Sequence, residues 1–472
     1  MSLDIFSLFL FCIFVFLRGK IRTDIPKWRN IMKKILFLVL LCLAGVLLPS
    51  CSKRESVYFF NFKPEIADKY EEIAKVYEKE TGVSVRVVTA ASGTYEQTLK
   101  SEIAKKDAPA IFQINGPIGY SAWKDYCLDL SQSELYKHLT DKSLAITDGD
   151  GVYGIPYVVE GYGIIYNEEI TDKYFALTNR STSYQSMEDI RSFAALKAVV
   201  EDMTAHKSEL GIEGVFASTS LKSGEDWRYQ THLANVPIYY EFLDSGVDMK
   251  NPATYQSVAF SYSDGYKNLF DLYINNSVTD KKLLGSKQVA DSMAEFALGR
   301  CAMVQNGNWA YSQISAVSGN TVKADKVHFL PLYIGTAEEE AQGLCTDTEN
   351  YFAINKNVSP DMQKKAQDFL TWLFTSETGK GFVTEELDFI APFDTFDTGD
   401  KPKDPLSREV SDWLEKEEIY NIPWAFTVFP GQSFKNDFGA ALLQYSQGTM
   451  TWDQVKETFV RRWKEEWSAQ LS

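Results

Sequence analysis

A regular alternation of strand and helix patterns constrains the fold of this chain most strongly. Val57 to Phe62 is an apolar run typical of a buried strand, and Ile66 to Glu80 follows with apolar residues at helical spacing. Val83 to Val88 alternates as a strand, Tyr95 to Lys105 is predicted as a helix, and Ala110 to Phe112 is the third predicted strand. This β-α-β-α-β order favours an α/β domain with a largely parallel sheet, whose ligands bind beyond the carboxyl ends of the strands.

The later sequence continues the same mixture of helices and strands. The stretch from about 184 to 320 has a mostly helical pattern, and strand signals return at Cys301 to Val304 and at Val327 to Tyr333. A late helix is predicted from Ser359, a capping residue followed by proline, to about Glu386. We therefore expect an α/β fold along the whole body of the chain.

A glycine motif suggests a cofactor site but does not fit one. Gly149 to Gly154 matches G-x-G-x-x-G, yet a dinucleotide site needs a strand before the motif and a helix after it. Here Pro156 lies in a β-rich stretch that follows directly, so we predict a hairpin turn and no cofactor.

The first fifty residues differ in character from the rest of the chain. The apolar run Ile35 to Leu48 is preceded by Lys33 and Lys34, which is typical of a secretory signal peptide. The sequence from Leu48 to Cys51 resembles a bacterial lipobox, so Cys51 is predicted to carry lipid. We expect residues 1–50 to be a leader whose natural start is Met32.

A second apolar run leaves an alternative for the leader. Ile5 to Leu17 is also too short to span a bilayer, and with Ile35 to Leu48 it could form a short membrane hairpin. Under either interpretation the body of the protein is tethered outside the cytoplasm.

The charge of the chain excludes nucleic acid as its main partner. The formal net charge is -16, and removal of residues 1–50 leaves 41 basic and 62 acidic residues, a charge of -21. A surface of this sign repels phosphate backbones.

The cysteines and histidines do not suggest a metal centre. Outside the leader and Cys51, only Cys127, Cys301 and Cys345 remain, which permits one disulfide at most and favours small buried side chains. The four histidines have no spacing that places two on one helical face, so no metal ligands are predicted.

Two groups of motifs resemble one known family. The first comprises Tyr153 to Pro156, Glu160 and Ile164 to Asn167; the second comprises Gly299 to Met303 and Asn306 to Tyr311. Together they resemble the family 1 extracellular solute-binding proteins of carbohydrate ABC importers, the group that includes maltose-binding protein. The sequence departs from the family at Ala110, where an acid is usual, and at Asn308, where proline is common.

The resemblance implies a two-lobed fold of the periplasmic-binding-protein type. Each lobe is expected to be a mostly parallel sheet flanked by helices, with the ligand cleft between the lobes. The N-terminal lobe would combine 57–160 with 325–375, and the C-terminal lobe would combine 161–324 with 376–472. The hinge would include residues 160–166 and a return crossing at 325–333.

The resemblance also implies a function without chemistry. The expected protein is a monomer, anchored to the cell membrane by lipid on Cys51, that captures a sugar or oligosaccharide by hinge closure. It would deliver this ligand to the membrane permease subunits of an ABC importer.

Two residues are the leading candidates for ligand contact. Trp309 lies in a Gly/Asn loop after a strand, and flat aromatic rings suit the apolar face of a pyranose; the alternative is packing. Glu160 lies between two strand signals, and the family uses a glutamate here to contact sugar; the alternative is a solvated hinge carboxylate.

Weaker candidates surround these two. Each has a structural alternative: hinge or lobe packing for the aromatic residues, and simple strand-end turns for the polar ones. These candidates are Tyr162, Trp227, Trp424, Asn115, Lys63 and Asn308.

Two other functions remain open. A polyamine-binding protein of the same fold is suggested by the charge and the many tyrosines, and would need several carboxylates beside aromatic rings. A secreted glycoside hydrolase would need two suitably spaced carboxylates, which so acidic a sequence does not exclude.

Overall fold

The computed structural model describes residues 56–91, 94–397 and 399–470. Residues 56–472 form one compact unit. The predictions for the leader and for Cys51 lie outside the described residues. Within the described ranges, no helix combines the length and the apolar character needed to cross a membrane.

Strands and helices alternate through the chain. The strands are β1 Val57–Asn61, β2 Val85–Thr89, β3 Ile111–Asn115, β4 Ile146–Asp148, β5 Gly151–Pro156, β6 Glu160–Asn167, β7 Met303–Gly307, β8 Val327–Leu330, β9 Gln342–Asp347, β10 Asn350–Ile354 and β11 Tyr420–Ile422. The α-helices are α1 Ala67–Thr81, α2 Tyr95–Glu102, α3 Gly116–Trp123, α4 Glu134–His138, α5 Glu168–Phe175, α6 Phe193–Ala205, α7 Lys207–Leu210, α8 Ala234–Ser245, α9 Ser263–Asn275, α10 Val289–Ala297, α11 Ala310–Ser315, α12 Pro360–Thr375, α13 Glu377–Glu385, α14 Pro405–Leu414, α15 Gln432–Ser446 and α16 Trp452–Gln470.

The first sheet confirms the alternation read from the sequence. Its strand order is β2-β1-β3-β10-β5-β4, and β1 pairs in parallel with both β2 and β3. Helix α1 covers one face of this sheet, where the Tyr70 ring meets Phe59 edge-on at 5.0 Å between centroids. The parallel half is therefore the β-α-β-α-β unit that the sequence predicts.

The second sheet corrects the expectation of mostly parallel strands. Its central strand, β6, pairs antiparallel with β7, β8 and β9, and only β11 runs parallel to its neighbour β9. In the first sheet, β10 is likewise antiparallel to β3 and β5. Connectivity accounts for the crossing strands: β5 leads out to β6 and β9 leads back to β10, so β10 runs opposite to β5 and β9 runs opposite to β6.

The chain returns to the first sheet later than expected. The sequence predicts a crossing that includes residues 327–330, but as β8 these residues pair with β6 in the second sheet. The return occurs between β9 and β10, at Thr348 and Glu349. Val383 and Phe393 pack in the core of the first sheet, so this core extends beyond residue 375. The lobes as moving bodies remain a prediction.

Several local predictions are confirmed. Asp148 pairs with Gly151, which leaves Gly149 and Asp150 as a two-residue hairpin turn, and Gly149 has φ +58°. The predicted late helix does start at Pro360, where the Ser359 side chain accepts a bond from Met362 N. It is interrupted at Ser376, whose side chain caps a second helix by accepting from Gly379 N. Cys127, Cys301 and Cys345 are buried free thiols.

Gly163 is fixed by the crowding around the central strand β6. A Cβ atom at this position would lie 2.5 Å from the carbonyl oxygen of Leu330 and 3.1 Å from a Leu344 methyl group. The first neighbour belongs to the backbone of a paired strand and cannot move aside without breaking the β6–β8 ladder. Gly381, on helix α13, has open space in the same position.

We expect Gly163→Ala to lower the free energy of unfolding by about 1–3 kcal/mol, since it overpacks a rigid site. The matched variant Gly381→Ala should raise that free energy by up to about 1 kcal/mol, because alanine favours helix more than glycine does. Urea denaturation of the two variants and the parent measures both effects. Equal effects from the two substitutions would contradict this account.

Candidate functional site

A buried polar network joins both sheets where β6 begins. The Glu160 carboxylate accepts a hydrogen bond from Lys63 Nζ at 2.7 Å and another from Asn350 Nδ2 at 2.9 Å. Lys63 follows β1, Glu160 opens β6 and Asn350 opens β10, so three strand ends bring the groups together. All three residues are buried. We call Lys63, Glu160 and Asn350 the polar network.

Electrostatics keeps the Lys63 ammonium of this network charged. Burial lowers the pKa of the Lys63 ammonium, but attraction by Glu160 and Glu65 outweighs burial, so the pKa lies above its usual range. Glu65 lies 3.9 Å from Lys63 Nζ, and burial raises the pKa of its carboxyl group. Lys63 therefore stays protonated and serves two carboxylates.

Trp309 stands between the polar network and the second lobe. Its indole lies over Gly307, where a Cβ atom would come within 2.2 Å of the ring, so only glycine permits this position. The residue is partly buried, and its Nε1 has no hydrogen-bond partner among the described residues. An aromatic face with an unused donor is thus presented next to charged groups.

An aromatic cluster continues from Trp309 into the second lobe. Trp227 lies 6.0 Å from Trp309 between ring centroids, and His232 lies 4.7 Å from Trp227. His232 also stacks on Phe426 at 4.6 Å and contacts Tyr162 at 4.5 Å. The aromatic cluster comprises Tyr162, Trp227, His232, Trp309, Trp424 and Phe426.

A π-helix arranges part of this cluster. Residues Arg228–Leu233 form π-helical turns just before helix α8. In a π-helix residues five apart come onto one face, which places Trp227 and His232 side by side. Burial lowers the pKa of His232 well below its usual range, so this imidazole is neutral. π-helical turns occur frequently at functional sites.

A cavity opens between the polar network and Trp309. It holds about 90 Å³, and its wall includes Lys63, Glu65, Glu160, Asn308 and Trp309. Ligand sites for small molecules commonly measure about 300–1,000 Å³. The cavity in this conformation is therefore too small for an oligosaccharide.

Part of the cavity wall is acidic. Glu386, Asp388 and Asp404, which we call the acidic wall, lie here with Lys69, whose ammonium pairs with Glu386. Asp404 caps helix α14, because its Oδ1 accepts from Ser407 N at 2.9 Å. Its Oδ2 is buried and has no partner among the described residues. Burial, together with the charge of Asp388, raises the pKa of Asp404 to about 7.

The structure brings four of the predicted site residues to the cavity. Lys63, Glu160, Asn308 and Trp309 line it, and Trp227 lies one ring away. Asn308 also supports the local structure, because its Oδ1 accepts from Gly161 N at 3.0 Å and its Nδ2 donates to Ser407 Oγ at 2.9 Å. Their assignment as ligand contacts remains a prediction.

The other three predicted residues lie away from the cavity wall. Tyr162 and Trp424 are each 1% exposed in the aromatic cluster, and the Tyr162 hydroxyl donates to the His232 carbonyl at 3.0 Å. Asn115 precedes helix α3 in the first lobe, and its Oδ1 is buried without a partner among the described residues. In this conformation their contacts are those of packing.

Sequence reasoning missed the acidic wall and Arg228. Arg228 is buried with its guanidinium 4.0 Å above the Trp227 ring, and its Nε donates to Asn306 Oδ1 at 3.0 Å. Burial lowers its pKa to about 10. The sequence could have identified Arg228, because this charged residue directly follows Trp227 in a polar loop. No such signal existed for Asp404, which lies in an Asp/Lys/Pro-rich stretch with the composition of a linker.

Comparison with known families gives one match. Residues 72–406 match the family model described as bacterial extracellular solute-binding protein. A search of curated proteins found no sequence match.

Comparison with solved structures gives many matches over nearly the whole body of the chain. A chitin oligosaccharide binding protein has TM-score 0.65 and 17% identity, over 88% of this chain and 99% of its own. RafE in complex with raffinose has TM-score 0.64 and 17% identity, over 88% and 100%. A sugar transporter from Bacillus licheniformis in complex with stachyose has TM-score 0.61 and 17% identity, over 88% and 100%. At these identities the comparison shows a shared fold, which is two-lobed.

Loss of the cation from the polar network should be costly. Lys63→Met leaves the Glu160 carboxylate buried beside one amide donor, and we expect the unfolding free energy to fall by about 3–5 kcal/mol. The double variant with Glu160→Gln should recover part of this loss, because no buried charge remains. Lys364→Met removes an exposed ion pair with Asp368 and should cost about 0–1 kcal/mol. Chemical denaturation of the three variants tests the order.

The buried Asp404 should make stability depend on pH. Its carboxyl group binds a proton more tightly in the folded state than in the unfolded state, so the unfolding free energy falls as pH rises from about 4 to about 7. Asp404→Asn keeps the helix cap and removes the titration. The unfolding free energy of Asp404→Asn relative to that of the parent protein should increase by on the order of 2–4 kcal/mol as pH rises from about 4 to about 7. A constant difference from pH 4 to 7, or growth as large in the exposed cap variant Asp280→Asn, would disprove the assignment.

Proposed function

The chain belongs to the family of bacterial extracellular solute-binding proteins, as its sequence motifs suggested, and from that premise we propose that it binds a sugar or oligosaccharide between its two lobes. We further propose that it delivers this ligand to the membrane subunits of an ABC importer.

The observation that carries the proposal is the juxtaposition of Trp309 with Glu160 and Lys63 in one cavity. A pyranose has an apolar CH face and a rim of hydroxyl groups, so it needs a flat aromatic surface and charged or amide groups beside it. Glu160 offers oxygen acceptors, and Lys63 offers donors. Trp309 adds an unused indole donor at the edge of its ring.

The small cavity supports a mechanism of opening and closure. The ligand enters when the lobes separate, and contacts from both lobes then favour the closed state, since a ligand shifts an equilibrium only through differential affinity. The proposed hinge lies where the chain passes between sheets, at Glu160 and at Thr348 with Glu349.

The structures of similar fold support the sugar class. Two of them are described as complexes with raffinose and with stachyose, and a third as a chitin oligosaccharide binding protein. A galactose-containing or N-acetylglucosamine-containing oligosaccharide is therefore a sensible first probe.

The proposed site of action is the outer face of the cell membrane. Membership of an extracellular solute-binding family places the protein outside the cytoplasm. Attachment through lipid on Cys51 is supported by the sequence from Leu48 to Cys51 that resembles a lipobox. We propose a monomer in this setting.

A polyamine is the second candidate ligand, and the cavity wall favours it in one respect. Five carboxylates line the cavity against two lysines: Glu65, Glu160, Glu386, Asp388 and Asp404 against Lys63 and Lys69. Carboxylates beside an aromatic ring are what a polyamine site needs.

We propose no catalytic step. The family is one of binding proteins, and two of the five cavity carboxylates, Glu160 and Glu386, are engaged in close ion pairs. The hydrolase alternative is tested by incubating the protein with the oligosaccharides of the binding panel and analysing the products.

Binding is expected to raise the melting temperature of the purified protein, because a ligand that binds the native state stabilises it. The panel contains raffinose, stachyose, chitin oligosaccharides, maltose oligosaccharides, spermidine and metal salts. Trp309→Ala should weaken binding of the active saccharide by about 10- to 100-fold. Trp372→Ala, on α12 and bonded to Glu80, serves as the matched control and should leave affinity unchanged.

A rise with spermidine alone would replace the saccharide proposal by the polyamine proposal. Equal loss of affinity in both tryptophan variants would remove Trp309 from the site. No rise with any saccharide of the panel would reject the sugar class.

A further inference from the structure

The acidic side chains around the cavity outnumber the basic ones, so some carboxyl groups remain after the ion pairs are counted. Glu160 is paired with Lys63, and Glu386 with Lys69. Asp388 and Asp404 are left without a cation within ion-pair distance among the described residues. Glu65 shares Lys63 with Glu160, so five carboxyl groups face two lysines, and the two carboxyl groups without a cation lie on the acidic wall.

Among these groups, Asp404 has the clearest unmet need for a hydrogen-bond donor. It is 5% exposed, its Oδ1 is used by the helix cap, and its Oδ2 is buried without a partner in the described part of the chain. An unpartnered carboxylate oxygen in such a place costs free energy unless a donor comes to it. Groups of this kind in native structures require an explanation, and a ligand donor supplies one.

The neighbouring Asp388 is held in place by a strained backbone. Its φ is +55°, one of two positive values among non-glycine residues in the described ranges. Its Oδ1 accepts from Asp404 N at 2.9 Å, which ties the Asp388 carboxylate to the backbone of Asp404. Strain of this kind persists where the surroundings enforce it and clusters at ligand-binding sites.

Trp309 completes the arrangement. Its partner in the loop, Asn308, donates to Ser407 Oγ, and Ser407 N donates to Asp404, so the indole and the carboxylate are tied to one frame. The face of an indole attracts cations as well as sugar CH groups. Both features of the cavity therefore suit a ligand with a positive charge.

We propose that the ligand carries a protonated amine, which Asp404 and Asp388 bind beside Trp309. This inference deepens the proposed function and rests on it for the saccharide part: the ligand would be an amino sugar oligomer. An ammonium group supplies the missing donor to Asp404 Oδ2 and the missing positive charge.

A metal ion fits less well than an amine. No group of three His, Cys, Asp or Glu side chains within the described residues is arranged to hold a metal. An ammonium needs only two or three acceptors around one face, and the acidic wall offers these. The same chemistry occurs in polyamines, so the experiment separates the two sources.

The test compares ligands that differ in whether their amino groups are charged or acetylated. Glucosamine di- to tetrasaccharides, their N-acetylated counterparts and spermidine are titrated into the purified protein by calorimetry. We expect the glucosamine oligomers to bind at least about tenfold more tightly than the acetylated ones. Asp404→Asn should weaken binding of the amine by about tenfold or more, and leave the acetylated oligomers unaffected. Asp388→Asn should act in the same direction, since asparagine tolerates the positive φ.

Control variants and alternative outcomes make the test decisive. Asp280→Asn, an exposed cap, should change no affinity. Acetylated oligomers that bind as well as the amines, or an equal effect of Asp404→Asn on both, would overturn the inference and leave the saccharide function intact. Binding of spermidine alone, lost in Asp404→Asn, would uphold the amine and reject the saccharide. Absence of binding by all three probes would reject the amine.

Discussion

The architecture around the cavity depends on one buried ion pair. Lys63 and Glu160 lie 97 positions apart in the sequence, and Asn350 reaches the same carboxylate from 190 positions away. Neither charge could remain buried alone, so β1, β6 and β10 must all be in register before the network is satisfied. Such a pair contributes less to net stability than to the uniqueness of the arrangement, because only one alignment of the strands completes it.

The groups next to this pair are less completely satisfied. Asp404 Oδ2, Trp309 Nε1 and one guanidinium nitrogen of Arg228 have no partner among the described residues. Asp404 and Trp309 line the cavity and Arg228 packs against Trp227, whereas both side-chain amide atoms of Asn308 are bonded. Among the residues that line the cavity, Trp309 and Asp404 are thus the two with a buried side-chain atom that has no partner in the described part of the chain, and a ligand would supply one.

The sequence predicted local structure well and distant pairing poorly. The first parallel strands followed from alternating patterns within about sixty residues, and the hairpin at Gly149 from one dipeptide. The second sheet did not follow, because β6 pairs antiparallel with strands that lie well over a hundred residues later, and no local pattern encodes that direction. The crossing at Thr348 was misplaced for the same reason.

The residues of the candidate site also fall into two groups, those that the local sequence predicts and those that it does not. Glu160 and Trp309 could be found because each directly adjoins a strand signal in a motif of unusual composition. Asp404 and Asp388 could not, since what distinguishes them is burial and proximity created by the tertiary fold. The π-helix at Arg228–Leu233 also has no sequence signature, yet it holds one residue more per turn than an α-helix. If the same residues formed an ordinary α-helix, Trp227 and His232, which are five apart, would point roughly 140° away from each other. The contact between Trp227 and His232 therefore depends on the wider turn at this segment, and a change that tightened the turn without removing a residue would separate the two rings while every strand of both sheets kept its partners.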